Sequence, residues 1–279
     1  MPSEIVCNKT KTIICILGMH RSGTSLTARW LQASGLNIGN NLMGKGVGNI
    51  DGHFEDFDFV EFHNEILCSN NIHIYPTIEP IIPKNHDNYS KAINLINKKP
   101  QTTPWGWKDP RTCLFVDLWQ EVIPNIKFLV VFRHYDEVVN SLLKRDLNYL
   151  STSKSQPSIR SILSKKKAQL YLTVFRKQFI KSRLKTWCVH NEKILNLLYS
   201  IDPKNYLVLQ YSTINQYDEK IIDFIINQWE VGLNFIPFDT IFDKTKISFP
   251  THSTKYGSKE AMIWNKLLQF EKETLSKIN

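Results

Sequence analysis

Residues Cys15–Leu31 read CILGMHRSGTSLTARWL, and the fold turns on how they are read. An apolar run, TIICIL (12–17), enters Gly18; four residues intervene before Gly23, and a helical stretch follows. A strand, a glycine-bounded loop and a helix start in that order aim backbone N–H groups at one point, where the helix dipole adds positive potential. An anion is the natural occupant. The glycines allow close backbone approach, and Thr24 and Ser25 add hydroxyl donors. A nucleotide-hydrolysing P-loop carries a lysine where this chain has Thr24. Here the cation is Arg21, inside the loop, a permanently charged planar fork suited to an oxyanion.

Outward from this loop, KFLVVF (127–132) and YLVLQY (206–211) are further short apolar runs of the kind buried on both faces of a sheet. Alternating with long helical stretches, they predict a three-layer α/β fold of P-loop type, with a central parallel sheet and helices on both faces. Tyr135, Val138, Val139, Leu142 and Leu143 have helical spacing, with Asp136 as the expected N-cap. Phe59, Phe62 and Ile66 share a face of an earlier helix. Met262, Trp264, Leu267, Leu268 and Phe270 are the expected buried residues of a C-terminal helix. Residues 151–161 read as a polar loop, and 165–199 as a basic helical stretch with Leu172, Phe175, Phe179 and Trp187 apolar.

With 279 residues, 42% of them hydrophobic, the chain can bury a sizeable core, and a single domain over 1–279 is expected, with 1–11 a mobile start. No apolar run approaches the roughly 20 residues of a bilayer span, and the first residues lack the apolar core of a secretory signal. A cytoplasmic location is expected. The five cysteines, Cys7, Cys15, Cys68, Cys113 and Cys188, form no Cys-x-x-Cys pair and read as small buried hydrophobes. No histidine has trustworthy metal-ligand spacing, so no metal is expected. Twelve Lys or Arg against the single acid Asp146 lie between Lys144 and Lys185, a local excess of +11 within a formal net charge of +9. Such a stretch attracts anionic partners through local potential. Residues 146–200 therefore read as a basic helical insertion that could cover an acceptor site.

Arg21-Ser22-Gly23-Thr24-Ser25 resembles the phosphosulfate loop of the sulfotransferase superfamily, enzymes that use 3′-phosphoadenosine 5′-phosphosulfate (PAPS) and release 3′-phosphoadenosine 5′-phosphate (PAP). The resemblance is nearer to the glycan, tyrosine-protein and bacterial types than to the cytosolic phenol and steroid types. It implies that residues 21–25 bind the 5′-phosphosulfate. It also implies an arginine at a strand end and a serine eight residues on for the 3′-phosphate, and Arg133 and Ser141 match both. Arg145, one turn beyond Ser141, resembles a further donor contact, and Tyr211 one to the adenosine. In GNIDGHFEDF (48–57), Glu55 falls where many members carry the catalytic base, with His53 and Asp56 as rivals. WGWKDPRT (105–112) resembles a segment whose lysine reaches the sulfonate, which makes Lys108 a second electrophilic stabiliser beside Arg21. The chain departs from the phenol-type enzymes in lacking an Arg-Lys-Gly-x-x-Gly segment.

The function so implied is transfer of a sulfuryl group from PAPS to a hydroxyl of a carbohydrate or other small, possibly anionic acceptor. The alternatives are a P-loop kinase-like phosphotransferase and a nucleic-acid-binding module that uses residues 144–185. Nucleic acid is the less expected partner, and the residues do not indicate an oligomeric state.

Overall fold

The computed structural model describes residues 12–44, 52–100, 102–152, 170, 174–241 and 258–279. Four short strands form one parallel sheet: β1 (Ile13–Leu17), β2 (Trp105–Lys108), β3 (Lys127–Phe132) and β4 (Tyr206–Gln210), in the spatial order β2-β1-β3-β4. Ile16 lies opposite Lys108, Leu17 opposite Val130, and Phe132 opposite Gln210. From β1 the chain leaves to one side to make β2, then crosses to the other side to make β3. That reversal opens a crevice at the carboxyl ends of β1 and β3, where ligands of open α/β sheets bind.

The strands are buried on both faces, and their residues alternate between two cores. Cys15, Leu17, Phe128, Val130 and Val208 face one core, whereas Ile14, Ile16, Leu129, Val131 and Leu209 face the other. The second core is closed by α1 (Thr24–Ala33) through Trp30 and Leu31, and by α7 (Ile214–Trp229) through Ile221, Ile222 and Ile225. The first is closed by α2 (Phe57–Ser69), α3 (His86–Asn97), α4 (Val116–Val122), α5 (Tyr135–Thr152) and α6 (Arg176–Ser200). The last helix, α8 (Ser258–Ile278), lies along β4. There Val208 N–H donates to Thr274 Oγ1 (3.0 Å) and Gln210 N–H to Glu271 Oε1 (2.7 Å). No helix among the described residues is long and apolar enough to cross a membrane.

Several expectations need correction. β2 has no β-branched residue to announce it, yet Trp105 and Trp107 are core, with Phe59 stacked on Trp107 at 4.5 Å. Asp136 is not the cap of α5, because it lies within the first turn; its N–H donates to Nδ1 of His134, the residue before the helix (3.3 Å). Helix α5 also runs to Thr152, into the stretch read as loop. Cys15, Cys113 and Cys188 are buried, but Cys68 is exposed near the end of α2. Met262 is exposed and Ile263 takes the buried position, while Leu267 and Phe270 are buried as expected. The second half of the basic stretch is a framework helix: Leu184, Trp187, Ile194 and Leu198 of α6 are core, whereas Phe175 just before it is exposed. Residues 1–11, Leu172 and most of 153–173 lie outside the described residues.

Candidate functional site

The loop between β1 and α1 is shaped by two left-handed residues, Arg21 (φ 71°) and Gly23 (φ 98°). A Cβ on Gly23 would come within 2.1 Å of the Tyr211 ring, so only glycine lets this ring cover the loop. Ser22 and Thr24 are buried, Ser22 N–H donates to Met19 O (3.1 Å), and the N-cap of α1 is Gly23, which has no side chain to cap the first turn.

Arg21 turns toward β3 and α5, where its Nε donates to Ser141 Oγ at 2.9 Å. The loop after β1 and the helix after β3, read separately from the sequence, thus meet in the crevice. Arg133 sits at the end of β3. It pairs with Glu137 one turn on, and its guanidinium lies 5.3 Å from the centre of the Tyr211 ring. Burial pushes the Tyr211 phenol up to about 12. Arg145 donates Nη1–H to Tyr75 Oη (2.6 Å) and Nε–H to Asp146 Oδ1 (2.9 Å). Burial, then Arg145, then Arg133 lower the pKa of Arg21 from its ordinary value, so both neighbouring guanidiniums act on the loop arginine.

The second cluster is a buried ionic chain. Glu55 and Lys108 are almost wholly buried, and Lys108 Nζ donates to Glu55 Oε1 at 2.7 Å. Arg111 Nη1 stands 3.5 Å from Glu55 Oε2 and 2.7 Å from Asp109 Oδ1. Asp109 Oδ2 lies 2.7 Å from His63 Nδ1, and Trp119 Nε1–H donates to His63 Nε2 (2.9 Å). An indole only donates, so Nδ1 of His63 carries the proton and gives it to Asp109. Burial alone would raise the pKa of Asp109, but the His63 and Arg111 bonds hold it well below the usual carboxylate range. Burial lowers the pKa of Lys108, against the pull of Glu55.

These clusters adjoin. His53 is half-buried, which lowers its pKa from the ordinary imidazole value, and it feels Glu55 first, then Lys108, Arg21 and Arg111. His20 packs against Tyr75 (5.0 Å between ring centres) and feels both Arg111 and Arg145.

The crevice thus gathers Arg21, the 22–25 loop, Arg133, Ser141, Arg145 and Tyr211, with Glu55, Lys108 and His53 beside it. Asp56 is engaged elsewhere. It caps α2, accepting from Asp58 N–H (3.0 Å), and pairs with Lys99 (2.7 Å). Tyr75, Asp109, Arg111 and His63 were not singled out as site residues in the sequence. Only the Asp109–Arg111 contact had a local signal, the Asp-Pro-Arg turn.

Among solved structures, a sulfotransferase from Mycobacterium avium is similar at 10% identity and TM-score 0.51, over 96% of this chain and 76% of that one. The sulfotransferase domain from the curacin biosynthetic pathway aligns at 15% identity and TM-score 0.48, over 92% and 98% of the two chains. A sulfotransferase from Alicyclobacillus acidocaldarius aligns at 12% identity and TM-score 0.46, over 96% and 94%. At such identities the likeness is one of fold. No protein-family model and no curated protein matches the chain.

Proposed function

We propose that this chain is a sulfotransferase that moves a sulfuryl group from PAPS to a hydroxyl of a carbohydrate or other small acceptor. The observation that carries the reading is the 2.9 Å hydrogen bond from Arg21 to Ser141, which joins two independently read motifs in one crevice. The residues fit a polyanionic nucleotide. Arg145 and Arg133 both disfavour the charge on Arg21, and an anion among the three relieves that repulsion.

In this reading Arg21 and the Ser22–Ser25 loop hold the 5′-phosphosulfate, Arg133 and Ser141 hold the 3′-phosphate with Arg145 flanking them, and Tyr211 packs against the nucleoside. When bound, the donor supplies an activated sulfuryl group on a phosphate leaving oxygen. The chain supplies orientation, cations and a base, the three needs of the transfer.

Glu55 is the base, and its two oxygens face Lys108 and Arg111. Lys108 therefore has two positions in the mechanism. On Glu55 Oε1 it neutralises the carboxylate; drawn on its flexible stem toward an anion in the crevice, it frees Oε1 for the acceptor proton. Arg111 stays on Oε2 and keeps the carboxylate aimed. Lys108 and Arg21 then stabilise charge on the group in transit.

Calorimetric titration of PAP, ADP and ATP into wild type and Arg133→Ala tests this reading. PAP is expected to bind best, and its advantage to fall by roughly 2–4 kcal/mol in the variant, the usual cost of losing a partly buried charged contact. Equal affinity for all three nucleotides in wild type removes the donor assignment.

A further inference from the structure

We infer that the acceptor carries an oxyanion, a carboxylate or a phosphate or sulfate ester, and that Arg183 is the residue that binds it. The inference rests on the donor reading above and extends it to the acceptor.

Arg183 projects from α6 into the wall formed by Tyr75. Its guanidinium carbon lies 4.5 Å from the Tyr75 ring centre and 4.8 Å from that of Phe179. Arg145 approaches the same Tyr75 ring at 5.4 Å. Two guanidiniums thus share one aromatic ring and one acid. Asp146 Oδ1 accepts from Arg145 Nη2 at 2.7 Å, and its Oδ2 stands 3.7 Å from Arg183, beyond hydrogen-bond distance. The side chain of Arg183 is only 16% exposed, and its buried Nε has no hydrogen-bond partner among the described residues.

A desolvated guanidinium with half a counter-ion is costly, and a planar fork stacked on aromatic rings presents its N–H edge to an oxyanion. The donor leaves this position over. Arg133, Arg21, Arg145 and Arg183 form a series in which Arg21 feels Arg133 and Arg145, while Arg183 feels Arg145. The donor reading assigns Arg21, Arg133 and Arg145 and leaves Arg183 unassigned. The wall also leads to the base, because His20 packs on Tyr75 and feels both Arg145 and the Arg111 that holds Glu55. An acceptor anchored at Arg183 along this wall extends toward the carboxylate.

The test is calorimetry on protein saturated with PAP, titrated with sulfate, acetate and, as the neutral hydroxyl control, glucose. At least one anion is expected to bind where glucose does not. Sulfate alone identifies an ester-type partner, acetate alone a carboxylate. Arg183→Gln is expected to weaken that anion at least tenfold while PAP affinity stays within twofold, which shows the fold intact, and Arg183→Lys to be intermediate. Sulfate held beside Lys108 instead is insensitive to Arg183, and that insensitivity overturns the inference. So does the absence of anion binding to PAP-saturated protein, or glucose binding with the same Arg183 dependence. Failure of PAP itself to bind overturns the donor reading, a separate result.

Discussion

Replacing Glu55 by Gln should leave Lys108 buried beside Arg111 with no carboxylate at its ammonium. Lys108 is 1% exposed and its partner stands at 2.7 Å, a contact of about 6 kcal/mol at an effective dielectric constant of about 20. The full loss is not felt, because lysine can shed its proton. Keeping it neutral at pH 7 costs about 1.36 kcal/mol for each of the roughly 3.4 units below its ordinary pKa, so the penalty is capped near ~5 kcal/mol. The expected destabilisation is therefore about 3–5 kcal/mol, the range for breaking a buried pair. Lys108→Met should cost less, since Arg111 still faces the remaining carboxylate at 3.5 Å. The double variant Glu55→Gln/Lys108→Met should recover most of the loss.

The sign with pH is fixed as well. In the Glu55→Gln variant the folded state lacks a proton that the unfolded state binds, so its stability rises with pH up to the unfolded lysine pKa. The gap to wild type should narrow by up to about 1.4 kcal/mol per unit between pH 7 and 9. Urea denaturation of the four proteins at both pH values reads this directly, as midpoint shifts at constant slope. A gap that does not change with pH, together with a double variant no more stable than Glu55→Gln, refutes the buried-pair account.

Two further outcomes are expected. Burial lowers the pKa of His190 from 6.5 to about 4, so its contribution is intact above the unfolded value and is lost as pH falls from 6.5 toward 4. The loss reaches about 3 kcal/mol, and acid denaturation of His190→Asn should lack that component; parallel curves for the two proteins would count against it. Gly23→Ala places a methyl against the Tyr211 ring at a left-handed position. It should cost roughly 1–3 kcal/mol of stability and weaken PAP at least tenfold. PAP binding at wild-type strength would show that the loop tolerates a side chain there.

The phosphate-type loop and strands β1, β3 and β4 were legible because each is a local pattern: an apolar run, a glycine at the turn, an arginine at the strand end. Strand β2 was not, because Trp-Gly-Trp-Lys is four residues long and finds its place through pairing with β1. The separation of Met262 from Ile263 also escaped the sequence, since α8 meets both a helix layer and the edge of β4 and no single stripe describes that contact. Of the candidate site, the cations stood in recognisable local motifs, whereas their partners did not. Tyr75, His63 and Arg111 approach from separate elements, and the bonds to Arg145, Asp109 and Glu55 come from tertiary convergence that no spacing encodes. Asp56 shows the converse. It was a plausible base by position, but its capping of α2 and its Lys99 pair engage both of its oxygens, which the sequence position did not reveal.

The two side chains that α8 spends on β4 have an outcome for the molecule's behaviour in a crowded solution. An outermost strand ordinarily offers a row of vacant donors to any extended chain that drifts past, and recruitment there is the usual first step toward fibrils. With the amides of Val208 and Gln210 already occupied by Thr274 and Glu271, a visiting chain finds nothing at those two places to zip onto. Proteolytic trimming behind β4 would uncover them, making α8 a guard against self-association as much as a piece of packing.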